Sequence, residues 1–262
     1  AYTVGNTLGS STVACVVTAP TASCTDTGLT SGATYHYEVF TQDANGNYST
    51  PGVTPTGSPV TLPLTTLATG TDPSNASLAP GGAATMADAF TFQTATGTDT
   101  ITGMTLSLGT GVAAGLSLVE ITDSAGTTVY GSVSSPATDT PTISLTTSIT
   151  ATTSATTYKV RVTPKSHAGM PAPAGATYSV TALVSAWTGS NAQAGSDTAG
   201  TTITIDNQSP ANVSSASVSA GSTQAFLSWS NPADADFSSV VILRRSGSAV
   251  ADVPTEGSTY TV

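Results

Sequence analysis

The chain has 262 residues, of which 38% are hydrophobic and 8% charged, and 15 acidic residues against 5 basic ones give a net charge of −10. This balance excludes the basic surface that would neutralise a phosphate backbone, so we expect no nucleic-acid partner. About a third of the residues are Ser or Thr, and 25 Gly and 15 Pro interrupt the chain, which favours many short strands over helices.

Apolar and polar residues alternate at several places along the chain, as half-buried strands require. The clearest examples, in chain order, are TYHYEVF (34–40), GMTLSLG (103–109), TYKVRV (157–162) and QAFLSWS (224–230). Pro-, Gly- and Asp-rich linkers at 54–59 and 206–210 divide the chain into residues 1–58, 59–208 and 209–262. We therefore expect an all-β protein built from β-sandwiches.

Two cysteines, Cys15 and Cys24, lie nine residues apart. This spacing is not that of a CxxC metal or redox motif, and no second Cys pair accompanies it. The sequence predicts a structural disulfide, with free buried thiols as the alternative. A disulfide would favour an extracellular location, secreted or on the cell surface. Because no uncharged apolar run approaches the ~20 residues that span a bilayer, we expect no membrane insertion.

The outer segments carry a family resemblance. Residues 27–49 (TGLTSGATYHYEVFTQDANGNYS) resemble the later strands of a fibronectin type III domain, with Tyr35 as its corner tyrosine. Residues 209–245 resemble the opening strands, with Trp229 as the core indole. The resemblance implies that the C-terminal half of such a domain begins the chain and its N-terminal half ends it. The core of the completed domain would contain Leu29, Tyr35, Tyr37, Val39, Leu227, Trp229, Val241 and Leu243.

The central residues 59–208 contain about nine candidate strands, including ADAFTFQT, LSLVEITD, PTISLTTSIT, ATYSVTALVSAW and TTITID. They are similar in a general way to the immunoglobulin-like domains that alternate with type III modules in large bacterial surface and filament proteins. The resemblance implies a central, larger immunoglobulin-like β-sandwich between the two halves of a split domain.

The two ends of the chain share the tripeptide Tyr-Thr-Val, at residues 2–4 and 260–262. This match indicates one period of an array with a repeat of 258 residues. The predicted function is therefore a non-catalytic structural subunit, or repeat unit, of an extracellular fibre. Its partners would be other copies of the chain, joined head to tail by completing the split domain. The alternative topology is a single sandwich that closes on itself within one chain.

Few residues are suited to catalysis. The two histidines, His36 and His167, lie on a strand and in a loop, and no nucleophile elbow, P-loop or dinucleotide motif is present. We therefore expect no enzymatic activity and no obligate cofactor.

One oxygen-rich group of residues suggests a metal site. In a completed type III domain, the loops that carry Asp43, Asn45, Asn47, Asp234 and Asp236 would lie at the same pole. Ca²⁺ binds such oxygen ligands, so the sequence predicts a Ca²⁺ site. The alternative is that these residues stabilise turns, as Asp and Asn commonly do.

A different class of function is an adhesin or carbohydrate-binding accessory module of a large secreted protein. A sugar-binding site of this kind needs an exposed aromatic ring, and Tyr48, beside the loop at 43–47, is the best candidate. Glycans are the partner that this alternative predicts.

Overall fold

The computed structural model describes residues 2–171, 177–255, 258, 260 and 261. The described chain is all-β, and its helical residues belong to two short 3-10 helices, Val112–Gly115 and His167–Gly169. Four short strands come first: β1 (Thr7–Leu8), β2 (Ser11–Thr12), β3 (Thr34–Tyr35) and β4 (Val60–Thr61). The central strands are β5 (Leu64–Thr69), β6 (Ala76–Leu78), β7 (Thr85–Thr94), β8 (Asp99–Ser107), β9 (Leu116–Asp123), β10 (Val129–Ser134), β11 (Thr142–Ala151), β12 (Thr156–Pro164), β13 (Thr177–Val180), β14 (Leu183–Thr188), β15 (Ala192–Ser196) and β16 (Ile203–Asp206). The last two are β17 (Ser214–Ala220) and β18 (Ala225–Ser230).

The central strands form three sheets. A six-stranded sheet has the order β10-β9-β12-β7-β5-β15, and two three-stranded sheets have the orders β11-β8-β14 and β13-β16-β6. Most neighbours are antiparallel, but β15 pairs in parallel with β5 and β16 pairs in parallel with β6. This architecture is consistent with a β-sandwich, as the composition predicts.

One hydrophobic core joins these sheets. The six-stranded sheet contributes Phe90 and Phe92 from β7 and Val160 from β12, and the sheet of β8 contributes Ile101 and Leu106. All five are completely buried. In β12, Tyr158, Val160 and Val162 are buried in alternation with partly exposed neighbours, so the period-2 pattern predicts the buried face of this strand.

The sequence segment ATYSVTALVSAW differs from the expected single strand. It forms β13 and β14, which belong to different sheets. The break falls at Thr181 and Ala182, and Ala182 is buried with a φ of 55°, a left-handed conformation that a strand cannot continue through. Alternating hydrophobicity on both sides of this bend hides it from a pattern-based prediction.

The buried residues of the described chain lie between Thr65 and Asn207. Among the described residues of the two end segments, 2–58 and 209–261, every residue is at least partly exposed to solvent. The expected boundaries at 58 and 208 flank the central core, and the division into domains stays a prediction.

Among the residues that the structure describes, no helix has both the length and the apolar character needed to cross a membrane.

Candidate assembly surfaces

The N-terminal segment (residues 2–58) is held by a small set of backbone and side-chain hydrogen bonds. The Tyr35 hydroxyl accepts a hydrogen bond of 2.9 Å from the backbone N–H of Thr30, five residues upstream. Val39 and Val53 exchange two backbone hydrogen bonds of 2.8 Å, which closes a hairpin around the loop at 43–47. β3 then pairs with β4, so this segment is anchored to the start of the central region.

The apolar side chains of this segment are incompletely covered. Leu29, Tyr35 and Tyr37 are half-buried, and Val39 is exposed. The Tyr37 hydroxyl donates a hydrogen bond of 2.9 Å to the Asp26 carboxylate, so its polar end has a partner although its ring is only half-covered. The segment therefore leaves part of its apolar surface in contact with solvent.

The two cysteines form a disulfide. The Cα atoms of Cys15 and Cys24 are 6.4 Å apart and their sulfur atoms are bonded. The prediction of a structural disulfide is confirmed, and the alternative of free thiols is excluded. The bridge closes a loop with a sequence separation of nine residues, and it stabilises the segment by restricting the unfolded chain.

The C-terminal segment (residues 209–261) begins with a hairpin of β17 and β18, paired from Ser214 to Ser230. Every residue of these two strands is exposed. Leu227 and Trp229 share one face of β18, while Phe226 lies on the opposite face. Trp229 is the less exposed of the two aromatic residues, at 37% against 70% for Phe226, and its indole N–H donates to the Asn231 side chain at 2.8 Å.

The sequence VVILRR at 240–245 has strong strand propensity but forms no strand in the structure. Val241, Ile242 and Leu243 are all exposed. None of the backbone hydrogen bonds between described residues involves this stretch. It is therefore an apolar segment whose backbone N–H and C=O groups have no partner strand among the described residues. Unpaired groups of this kind promote pairing with another chain.

The end segments of one chain do not complete each other. Between the described residues of 2–58 and those of 209–261 the structure records no strand pairing, hydrogen bond or aromatic contact. The alternative in which the sandwich closes within one chain stays a prediction. The residues predicted for the domain-completion core form two sets: Leu29, Tyr35 and Tyr37 are half-buried, whereas Val39, Leu227, Trp229, Val241 and Leu243 are exposed.

The structure describes five of the six residues of the tripeptide Tyr-Thr-Val that the two chain ends share. The Tyr260 hydroxyl accepts a hydrogen bond from the backbone N–H of Thr255 at 2.8 Å, and Tyr2 contacts Tyr48 with their ring centroids 6.1 Å apart. Thr259 and Val262 lie outside the described residues.

The loop at 43–47 satisfies its own carboxylate. Asp43 accepts hydrogen bonds from the backbone N–H groups of Asn45 and Asn47 and from the Asn47 side-chain amide, at 2.8–2.9 Å. The Asn47 side-chain hydrogen bond is the largest cause of a lowered Asp43 pKa. Asp234, in the other candidate loop, accepts from the backbone N–H of Ala211. These contacts stabilise the loops themselves, as the alternative interpretation of these residues predicts.

The structure does not bring the predicted Ca²⁺ ligands together. Within the described ranges, no three His, Cys, Asp or Glu side chains are gathered as a ready-made metal centre, and neither Asp234 nor Asp236 bonds to the loop of Asp43. A Ca²⁺ site at these loops stays a prediction that would require the completed domain.

A second group of carboxylates, missed in the sequence analysis, lies in the central region. Asp88 in β7 is completely buried, and no hydrogen-bond donor reaches either of its carboxylate oxygens. Burial first, and then the negative charges of Asp197 and Asp72, raise the pKa of Asp88 to about 9. The usable signal in the sequence is Asp88 itself, which stands in an apolar stretch between Met86-Ala87 and Ala89-Phe90.

The sequence was also compared with known proteins. No family model matches the chain, and no match is found among the curated proteins. Its function is therefore inferred from the contacts of this chain alone.

Proposed function

We propose that this chain is a non-catalytic structural unit of an extracellular fibre. The C-terminal segment of one unit packs against the N-terminal segment of the next, and together they complete one fibronectin type III-like sandwich. The central sandwich acts as a preformed bead between these junctions. Whether the units are separate subunits or parts of one tandem polypeptide, the junction would have the same packing.

The observation that carries this proposal is the incompleteness of both end segments in one chain. The N-terminal segment leaves Leu29, Tyr35 and Tyr37 half-covered, and the C-terminal segment leaves Leu227 and Trp229 exposed. Exposed apolar faces are unfavourable in water, and their burial contributes about 25 cal/mol for each Å² of apolar surface. Each chain carries one N-terminal and one C-terminal segment. When two chains associate, the apolar face of one chain's C-terminal segment would cover that of the other chain's N-terminal segment.

The unpaired segment 240–245 would set how the two units are oriented at the junction. In sandwiches of this class the third and sixth strands are neighbours in one sheet, which places 240–245 of one unit beside 35–40 of the next. Residues 35–40 have few backbone partners of their own, mainly Val39 with Val53 and Tyr35 with Val60. Adding a strand here would satisfy exposed N–H and C=O groups on both chains.

The charges of the two segments are compatible with this pairing. Residues 1–58 contain Asp26, Glu38 and Asp43 and no Lys or Arg. Arg244 and Arg245, in contrast, end the unpaired segment 240–245. An arginine beside Glu38 would favour the proposed orientation, although an exposed ion pair contributes at most ~1 kcal/mol. Affinity would therefore come mainly from apolar burial and strand pairing.

Such a junction joins two different surfaces of the same chain. A contact of this kind is heterologous, and it propagates as an open filament unless the rotation between units happens to close a ring. The Cys15–Cys24 disulfide is compatible with an extracellular or secreted protein. A sparsely charged unit with incompletely covered end segments suits a fibre or stalk.

The experiment that tests this function uses a chain terminator. A variant that lacks residues 209–262 keeps the N-terminal surface and the central core but cannot accept a further unit. Added at about one part in ten to the intact chain, it is expected to limit assemblies to about ten units, because each terminator stops one growing end. Filament length by electron microscopy and mass by sedimentation velocity measure the effect.

The matched control is the same truncated chain carrying Val39→Asp. Val39 is exposed in the single chain, so the substitution should leave the truncated chain folded, but it would bury a charge in the completed junction. This control should not shorten assemblies. Intact chain that stays monomeric at every concentration, or equal shortening by both truncated chains, would contradict the proposal.

A second candidate function is glycan binding at Tyr48. The observation in its favour is the exposed ring of Tyr48, with Tyr2 tilted beside it at 6.1 Å, because exposed aromatic faces can pack against the apolar face of a sugar. Saturable binding on a glycan array, reduced at least ~10-fold by Tyr48→Ala but not by Phe226→Ala, is what this candidate predicts. The absence of binding by the intact chain would exclude it.

A further inference from the structure

The disulfide connects the first hairpin of the chain to the stretch that follows Cys24. This hairpin consists of β1 and β2 and is extended by two backbone hydrogen bonds. Gly5 N–H donates to the Val13 carbonyl at 2.9 Å, and Val13 N–H donates to the Asn6 carbonyl at 2.8 Å. Cys15 lies two residues after Val13, so the sulfur–sulfur bond fixes the end of the hairpin against Cys24.

The stretch after Cys24 reaches the surface proposed for the junction. Asp26, two residues further along, is half-buried and accepts the hydrogen bond of 2.9 Å from the Tyr37 hydroxyl. The backbone N–H of Tyr37 donates to the Ser58 hydroxyl at 3.0 Å. Tyr37 is therefore held at both its backbone and its hydroxyl, and the hydroxyl contact leads through Asp26 to the disulfide.

Closing the loop from Cys15 to Cys24 restricts the conformations that the neighbouring residues can adopt. Asp26 is close enough to Cys24 in the chain for this restriction to reach its carboxylate. A fixed carboxylate orients the Tyr37 hydroxyl, and with it the half-buried ring that would pack against the next unit. The bond between the cysteines thus acts on the junction surface without being part of it.

The disulfide is accessible to thiol reductants. Cys24 is exposed and Cys15 is half-buried, so a thiolate attacks the Cys24 sulfur. The attacking sulfur bonds to Cys24, and the Cys15 thiolate leaves and takes up a proton. The second thiol of a dithiol reductant then displaces the Cys24 thiol and closes the disulfide of the reductant. Two electrons pass from the dithiol to the protein, and the chain has no other cysteine.

We propose that the Cys15–Cys24 disulfide, acting through Asp26 and Tyr37, restricts assembly to an oxidising environment. This inference rests on the head-to-tail function proposed above and adds its regulation. In the oxidised chain Asp26 holds Tyr37 in the arrangement that receives the next unit. A chain reduced by a dithiol loses this support and stays unassembled. Assembly would then begin only in a compartment where disulfides form and persist.

The test compares the association of the oxidised and the reduced chain. Sedimentation velocity over a range of concentrations is recorded before and after treatment with excess dithiothreitol, and thiol alkylation with intact mass verifies reduction. The association constant is expected to fall at least ~10-fold and to recover on reoxidation, because closing a loop with a separation of nine residues favours the ordered segment by at least this factor. The central residues 59–208 contain no cysteine, so their melting temperature by differential scanning calorimetry should not change.

Two matched variants locate the coupling. Tyr37→Phe removes the hydroxyl that contacts Asp26 and keeps the ring. The oxidised variant is expected to associate less tightly than the parent and to respond less than ~3-fold to reduction, because both changes break the same path. Tyr48→Phe removes a hydroxyl from the same segment outside this path, so it should keep the association and the full response of the parent.

The outcomes separate this inference from the function on which it rests. An oxidised parent that stays monomeric at every concentration would contradict head-to-tail assembly, and the redox inference with it. Equal association of the oxidised and reduced parent would overturn the redox inference alone. A full response kept by Tyr37→Phe would overturn it too, because the effect of the disulfide would then bypass Asp26.

Discussion

Replacing Trp229 with alanine is expected to abolish end-to-end association while leaving the central sandwich folded. The indole is 37% exposed in the single chain, and in the proposed junction it becomes the main aromatic group of the completed core. Removing a buried Trp costs about 3–5 kcal/mol, which corresponds to a loss of affinity of more than ~100-fold. Sedimentation velocity over a range of concentrations measures the loss.

The same strand provides the matched control. Phe226 lies on the opposite face of β18 and is 70% exposed, so Phe226→Ala removes an aromatic ring of similar size from the face that the proposal leaves in solvent. Association of this variant should stay within about 3-fold of the parent. Equal weakening by the two substitutions would show that the hairpin acts through general hydrophobicity and not through the face of Trp229.

Replacing Phe92 with alanine should have the opposite pattern. Phe92 is completely buried in β7 and contacts the rings of Phe90, Tyr158 and Trp187 at centroid distances of 5.6–6.4 Å. Its loss should lower the free energy of unfolding of the central sandwich by about 3–5 kcal/mol and its melting temperature by roughly 6–20 °C. Differential scanning calorimetry measures both quantities.

Below its melting temperature the Phe92→Ala chain should associate like the parent, because the ring lies outside both end segments. Phe226→Ala serves again as the control, since it removes a phenyl ring without touching the central core. A loss of stability below ~1 kcal/mol for Phe92→Ala would contradict the position of this ring at the centre of the core, and weakened association would contradict the independence of bead and junction.

The central strands were accessible to prediction because their signal is local. The candidate strand LSLVEITD coincides with β9, and alternation in TYKVRV corresponds to the buried face of β12. Pairing order is not local, so nothing in the sequence indicated that β15 and β16 would pair in parallel with β5 and β6. These contacts join residues more than a hundred positions apart and depend on the whole fold.

The end segments show the other limit of local patterns. VVILRR has the composition of a strand, yet a strand requires a hydrogen-bonding partner, and the described chain offers none to 240–245. TYHYEVF likewise forms a strand only at Thr34 and Tyr35, with a bridge at Val39. In both stretches the alternating or apolar pattern is present in the sequence, but a strand also needs a pairing partner, which a local pattern cannot supply.

The carboxylates of the central region were missed for a different reason. Asp72, Asp88 and Asp197 are far apart in the sequence, so no local motif groups them. By contrast, Asp43, Asn45 and Asn47 are close in sequence and attract attention, but their contacts satisfy the loop itself. The strongest single clue was an Asp among the buried residues of β7, because an ionised side chain there requires a compensating group.

Hydrogen exchange of the intact chain tests the junction most directly. Amides at 240–245 have no backbone partner in the single chain, so they should exchange rapidly at low concentration. If two units complete one sandwich, peptides covering 35–40 and 240–245 should gain protection together as the concentration rises, and Trp229→Ala should remove that protection from both. Rapid exchange of 240–245 at every concentration, or protection of one peptide without the other, would contradict head-to-tail completion of the split domain.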